Sequence, residues 1–362
     1  MLWLPQYVGE FALPTQFGVL DWHIHEMLYG YVAATIAGFL LTAIPNWTGR
    51  LPVSGWPLAG LALLWLCGRV AVLLSAKLGG VVAAAIDVSF LLVLAAVAAR
   101  EIVAGQNWRN LRVLIVLCVL AAGNIVFHVE VLLKGAADYG IRLALAAVIL
   151  LLSLIGGRIV PSFTNNWLTR NNPGRLPVAF ARFDMVALAA TAVALIAWIA
   201  APAHVVTGAL MLIAGLVQAT RLLRWAGDRT LADRLVLVLH VGYAFVPIGF
   251  LLLGAAILRP ADWPISAGLH AWMTGAAGLM TLAVMTRASL AHTGCKLVAS
   301  RATQLIYLCA LVAALARIFA AFEPSSAVLH IAAFAWVLAF GGFAAVYGPL
   351  LMGRAPVWAE RA

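Results

Sequence analysis

The sequence predicts an all-α, polytopic transmembrane helical bundle, and three observations predict it. Of the 362 residues, 65% are hydrophobic and only 10% are charged, with a mean hydropathy of +1.03. A soluble domain of this size needs far more polar surface. Apolar runs of about 20 residues, the length that crosses a bilayer, recur along the chain. Lys and Arg gather in alternate connections between those runs.

Eleven apolar runs qualify as spans. They begin near residues 22, 56, 79, 111, 139, 184, 203, 234, 266, 302 and 326. The connections are short, and we expect the longest over residues 158–183. Residues 1–362 are therefore expected to form a single integral membrane domain. The first residues lack the basic start and long apolar core of a cleavable signal peptide.

The basic residues predict the orientation. One set of alternate connections holds 17 Lys and Arg, the other holds 4, and Arg69 and Arg317 lie inside spans. Because Lys and Arg accumulate in cytoplasmic loops, the C-terminus is predicted to be cytoplasmic and the N-terminus outside. The same rule explains the net charge of +10, so no nucleic acid partner is expected. The four cysteines form no CxxC motif, which argues against a thiolate metal site.

Six of the eight histidines fall on the outer side of the predicted spans. They are the candidate metal ligands His23, His25, His128, His204, His270 and His330. A single histidine at a helix end is best explained by a hydrogen bond to a carbonyl or a lipid headgroup. Six on one side favour ligation of a metal or haem, because neutral imidazole binds iron and copper strongly.

Two of these spans also match in sequence. Three histidines follow a candidate N-cap by four residues: Asp21 precedes His25, Ser266 precedes His270, and Ser326 precedes His330. Five positions of the first span recur 245 residues later: Asp21, His25, Gly30, Thr48 and Gly49 correspond to Ser266, His270, Gly275, Thr293 and Gly294. An internal duplication explains the match, and so does the abundance of small residues.

Charged side chains near the histidines suggest partners. Arg69 and Arg317 suit the propionates of a haem, although Asp87 is the obvious protein partner of Arg69 and a candidate proton relay. Glu26 and Glu130 are expected either to orient imidazole N–H groups or to be solvated at the interface. His23 and His25 point apart on a helix, so the deeper His25 is the ligand candidate. His23 is expected either at the interface beside Trp22 or as a ligand to something else.

Three segments resemble the NnrS family, bacterial membrane proteins linked to the nitric-oxide response. They are HIHEMLYGYVAATIAGFLLTAIPNWTG (23–49), GGRIVPSFTNNW (156–167) and LHAWMTGAAGLMTLAVMTRASLAHTG (269–294). With the span count, the likeness covers essentially the whole chain. It implies a protein of the bacterial inner membrane that binds haem and copper and relieves nitrosative stress. Family members look like twelve-span chains, and this sequence begins about one helix late.

A distant analogy links this chain to the haem-copper oxidases, which also use about twelve spans. If one missing helix is counted first, His25 lies on span two and His270 on span ten, the helices that carry the low-spin haem ligands there. The analogy predicts haem b held by His25 and His270. A second site, for copper or another haem, would use some of His128, His204 and His330. Fold analogy alone does not establish function.

The predicted function is the handling of nitric oxide by a metal or haem in the outer leaflet, which this apolar gas reaches through lipid. The sequence leaves open whether the chain is a nitric-oxide-reacting haem oxidoreductase with an unknown electron donor or only binds the gas. The alternative is a membrane transporter for metal, haem or a small ion. That alternative predicts discontinuous helices and no stoichiometric haem.

Overall fold

The computed structural model describes residues 2–353. Within them, eleven helices are long and apolar enough to cross a membrane, which confirms the predicted helical bundle. We number them spans 1 to 11 in chain order: Val19–Thr48, Trp56–Leu73, Gly80–Ala104, Trp108–Lys134, Tyr139–Asn171, Arg182–Ala200, Val205–Arg229, Arg234–Leu258, Ile265–His292, Arg301–Phe322 and Ser326–Leu351. Arg354 and Arg361, which contribute to the charge count, lie outside the described residues.

The span boundaries follow local chemistry. Span 1 ends before Gly49 at φ +69°, and span 4 ends before Gly135 at φ +78°. Glycine adopts this left-handed conformation without steric cost and so terminates helices. At the other end, the Asp233 carboxylate accepts from the backbone N–H groups of Leu235 and Val236 and starts span 8. Such caps satisfy N–H groups that have no partner within the helix.

The three predicted N-caps were wrong by one to three residues. Asp21, Ser266 and Ser326 lie in the first turn of their helices, and the N-cap positions hold Gly18, Pro264 and Ser325. An acidic side chain favours a helix N-terminus from anywhere in the first turn, because the helix dipole extends over it. An acidic residue in the sequence therefore indicates the first turn of a helix but does not identify the N-cap residue.

The long connection predicted over residues 158–183 was wrong in its first half. Span 5 continues as a helix to Asn171, with Pro161 inside it, so the connection to span 6 covers only residues 172–181. The polar side chains of this stretch end the apolar run without ending the helix. Helical hydrogen bonds join backbone groups, so a helix can extend beyond its apolar stretch.

Three spans contain a π-helical segment. These segments are Glu26–Val32 in span 1, Leu152–Gly156 in span 5 and Ala271–Gly278 in span 9. The first begins directly after His25 and the last directly after His270. The π-helix is rare and occurs frequently at functional sites, so these two histidines lie where the backbone itself departs from regular helix.

The chain separates into two compact units, Met1–Leu151 and Leu152–Ala362. In the first unit, span 3 packs between spans 2 and 4, and span 4 packs on Tyr139–Leu151. In the second unit, span 7 packs between spans 6 and 8, and span 10 packs on span 11. The single membrane domain over residues 1–362 stays a prediction.

Candidate metal centre

Three buried side chains of the first unit form a candidate metal centre. His25 comes from span 1, Asp87 from span 3 and His128 from span 4, and their candidate ligand atoms lie within 4.8 Å of one another. The three side chains are 0%, 1% and 3% exposed. In residues 2–353 this is the one group of three or more His, Cys, Asp or Glu side chains so arranged. Because each ligand comes from a different span, folding of the first unit assembles the centre.

Asp87 is the hub of the centre. Its Oδ2 lies 3.0 Å from Nε2 of His128 and 3.2 Å from Nε2 of His25. The same oxygen accepts a hydrogen bond from Nδ2 of Asn124 at 2.9 Å. Its Oδ1 accepts from Nη2 of Arg69, the partner suggested by the sequence. Asn124 lies one turn before His128 on span 4, so both side chains face Asp87.

Both ring nitrogens of His25 face oxygen atoms. Nδ1 lies 3.3 Å from Oε1 of Glu26, and Nε2 lies 3.2 Å from Oδ1 of Asn124. A neutral imidazole carries one N–H donor and one lone pair. One of the two nitrogens therefore lacks a matching partner unless a proton or a metal ion lies between it and the oxygens.

The charges around the centre do not balance when both imidazoles are neutral. Glu26 and Asp87 contribute two carboxylates, and Arg69 contributes one guanidinium, whose Nη1 lies 2.5 Å from Oε1 of Glu26. With both imidazoles neutral, one net negative charge remains. Unbalanced charge is costly away from water. The arrangement can therefore accommodate one positive charge between His25 and His128, either a proton or a metal cation.

Aromatic rings enclose His25. The ring centroids of Phe17, Tyr29 and Phe127 each lie 5.1 Å from the centroid of the His25 ring. The Tyr29 hydroxyl donates to the carbonyl of Gly140 at 2.8 Å, which holds this ring in place. With these rings around it, the His25 side chain is fully buried.

Other histidines proposed from the sequence have local partners. The His23 ring stacks on Trp3 at 4.3 Å between centroids and is not part of the group around Asp87. Nδ1 of His204 accepts from the backbone N–H of Val206 and caps span 7. Nδ1 of His330 donates to the Ser326 carbonyl of its own helix at 2.7 Å. Their assignment as metal ligands stays a prediction.

His270, in the second unit, has a defined tautomer. Nδ1 lies 2.7 Å from the Ser266 carbonyl, which can only accept, so Nδ1 carries the hydrogen. Nε2 therefore carries the lone pair, and Nη2 of Arg317 donates to it at 2.5 Å. The two residues proposed from the sequence thus contact each other directly. The predicted haem shared by His270 and His25 stays a prediction.

Sequence reasoning missed the place of two residues in the centre, Asp87 and Asn124. It assigned Asp87 to Arg69 and to proton relay, but not to a metal, and it did not consider Asn124. The available signal was spacing, because Asn124 precedes His128 by four residues. Glu130 has neither role proposed for it: it accepts from the backbone N–H groups of Asp138, Tyr139 and Gly140 and caps the start of span 5.

Comparison with known proteins gives one family. A family model described as NnrS protein matches residues 1–354, essentially the whole chain. No curated protein and no solved structure matches. The matched range includes every side chain of the candidate metal centre.

Proposed function

Because the chain belongs to the NnrS family, we propose that it handles nitric oxide in the bacterial inner membrane with a metal ion held by His25, Asp87 and His128. Family membership supports a role in the nitric-oxide response. Eleven apolar helices make the chain a multi-pass membrane protein. The observation that carries the proposal is the buried His, Asp, His group in the first unit.

The ligand set indicates the metal class. Two imidazoles and one carboxylate suit first-row transition metals, and this combination with open positions is typical of non-haem iron. Copper also binds imidazole ligands, and copper is one of the metals that the sequence predicts for a second site. Three protein ligands leave coordination positions at which a diatomic gas can bind. We therefore propose iron or copper at this centre.

The surrounding residues tune and protect the proposed centre. Glu26 accepts from Nδ1 of His25, which leaves Nε2 for the metal and fixes the ring orientation. Arg69 contacts both carboxylates and limits the negative charge. The rings of Phe17 and Phe127 exclude water. Nitric oxide is small and apolar, so it reaches such a site through lipid without a polar channel.

Haem b on His270 is a second candidate, supported by one observation. Nε2 of His270 carries a lone pair that accepts a hydrogen bond from the Arg317 guanidinium at 2.5 Å, and a haem iron would have to replace that hydrogen bond. Arginine pairs well with carboxylates, and haem propionates are carboxylates. A haem there would supply a redox-active iron. His25, by contrast, is enclosed by aromatic rings, which disfavours it as a haem ligand.

The test is metal and haem analysis of the purified protein. We expect about one equivalent of iron or copper, loss of that metal in His128→Ala, and retention in His330→Ala, whose imidazole bonds only its own helix. Nitric oxide should change the electron paramagnetic resonance spectrum of the wild type and not of His128→Ala. Equal metal content in both variants would exclude this centre.

The same purification tests the alternatives. A stoichiometric haem spectrum that survives His128→Ala and disappears in His270→Ala would support haem on His270. The transport alternative predicts discontinuous helices. In the part of the chain that the structure describes, Pro161, Pro247 and Pro349 lie inside continuous helices, so these prolines give no support to a carrier.

A further inference from the structure

A cavity of the first unit lies apart from the metal centre. It has a volume of about 810 Å³ and is formed by the connection between spans 1 and 2, the first half of span 2 and the end of span 3. Arg50 and Arg100 lie at its polar end, and Leu61, Leu64, Val93 and Val97 line its apolar part. No member of the metal centre contributes to its lining. The cavity therefore needs an explanation of its own.

The polar end carries a surplus of positive charge. Nε of Arg50 donates to Oε2 of Glu101 at 2.5 Å, and Nε of Arg100 donates to Oε1 at 2.9 Å. The Glu101 side chain is 6% exposed, whereas the two arginines are 44% and 68% exposed. Two guanidinium groups thus share one buried carboxylate. One positive charge remains uncompensated at the rim of the cavity.

The position of the cavity matches a membrane interface. Arg50 and Arg100 belong to the basic set predicted to be cytoplasmic. Beside the cavity, Leu51 and Trp56 are 91% and 90% exposed. Tryptophan prefers the level of the lipid headgroups. The arginines therefore lie where phosphates of the inner leaflet are found, and the apolar lining lies along spans 2 and 3.

We propose that this cavity binds an anionic phospholipid of the inner leaflet. The headgroup phosphate lies between Arg50 and Arg100, since guanidinium groups bind phosphate in a bidentate manner. One acyl chain lies along the leucine and valine side chains. Basic pockets between spans on the cytoplasmic side are suited to anionic headgroups. A soluble anion would leave the apolar lining uncovered, and a neutral lipid would leave the surplus charge unpaired.

The experiment is native mass spectrometry of the detergent-purified full chain with phosphatidylglycerol or phosphatidylcholine of matched acyl length. We expect the wild type to bind phosphatidylglycerol more tightly. The double variant Arg50→Gln/Arg100→Gln should bind it about 30-fold more weakly, about fivefold for each arginine. The control is Arg109→Gln/Arg112→Gln, which removes two exposed arginines of the same basic set. It should bind like the wild type.

A third variant is expected to bind the anionic lipid more tightly. Glu101→Gln keeps both arginines and removes the competing carboxylate, so phosphatidylglycerol should bind more tightly than to the wild type. Unchanged metal content in every variant shows that the first unit is folded. Equal affinity of the wild type for both lipids overturns the proposal. So does equal affinity of the two double variants for phosphatidylglycerol, or no gain in Glu101→Gln.

Discussion

His25 and His270 lie 245 residues apart, in different units, and each is followed directly by a π-helical segment. Their surroundings carry opposite charge. His25 faces the carboxylates of Glu26 and Asp87, whereas Nε2 of His270 faces the guanidinium of Arg317. A histidine followed by a π-helical segment therefore occurs in two different electrostatic environments. The first environment suits a bare cation, and the second suits a ligand that brings its own carboxylates.

The shared π-helical segments bear on the origin of the match. Abundant small residues can produce matching glycines and threonines by chance. They do not account for two rare helical segments at the same distance after a histidine. An internal duplication accounts for both the matched residues and the shared backbone geometry.

The largest expected effect separates the two histidines. His25→Ala should abolish metal binding, because it removes a ligand of the proposed centre. His270→Ala should retain the metal, because His270 belongs to the second unit and contacts Arg317. Elemental analysis of both purified variants measures the difference. If both variants lose metal to the same extent, the assignment of the metal to the first unit is wrong.

The next effect concerns Asp87, the carboxylate of the candidate metal centre. Asp87→Asn leaves the Arg69 guanidinium with only the partly exposed Glu26 as an ion-pair partner. Breaking a buried pair costs about 3–5 kcal/mol, so the metal-free variant should unfold at a clearly lower temperature. Asp228→Asn is the control, because Asp228 and Arg175 are 66% and 56% exposed and exposed pairs contribute about 0–1 kcal/mol. Equal melting temperatures for the two variants would contradict the structural role of Asp87.

A smaller effect distinguishes two glutamates that the sequence treated alike. Glu26→Gln should lower metal affinity about 10–100-fold, as is typical when the hydrogen-bond partner of a ligating histidine is lost. Glu130→Gln should leave affinity unchanged and lower thermal stability, because Glu130 caps the start of span 5. Metal titration against a competing chelator measures the first effect. A lower metal affinity in Glu130→Gln than in Glu26→Gln would contradict this prediction.

The smallest effects are expected at two matched glycines, Gly30 and Gly275. A Cβ on Gly275 would overlap the ring of Phe245, so Gly275→Ala should cost about 1–3 kcal/mol through overpacking. A Cβ on Gly30 would lie 3.0 Å from Nη1 of Arg69 and 3.2 Å from Oε2 of Glu26. Those side chains can shift, so Gly30→Ala should cost less stability and instead weaken metal binding. Thermal unfolding and metal titration of both variants test this division, and the reverse pattern would refute it.

The sequence predicted the spans well, because the bilayer imposes a length and a composition on every crossing helix. Each predicted start lies within three residues of the observed one. It also singled out His25, Glu26, Arg69, Asp87 and His128, the polar side chains that meet in the first unit. Intramembrane polar side chains are rare enough to stand out.

The grouping of these residues was not predictable from the sequence. Whether His128 faces His25 or another histidine depends on how spans 1, 3 and 4 pack, and the apolar pattern of a bundle helix leaves its rotation weakly defined. Asn124 was overlooked because a neutral amide gives no charge signal. The role of Glu130 depends on the short turn before Tyr139, which brings three free N–H groups to its carboxylate.

The pairing of Arg69 with Asp87 also affects how the chain enters the bilayer during synthesis. The two residues lie on consecutive spans joined by a short connection. A lone arginine costs about 2.5–3.5 kcal/mol to insert at the centre of a span and less towards its end, where Arg69 lies. If spans 2 and 3 leave the translocon together as a hairpin, the two charges partition into lipid already neutralised. Biogenesis of this unit then depends on the order in which its helices emerge.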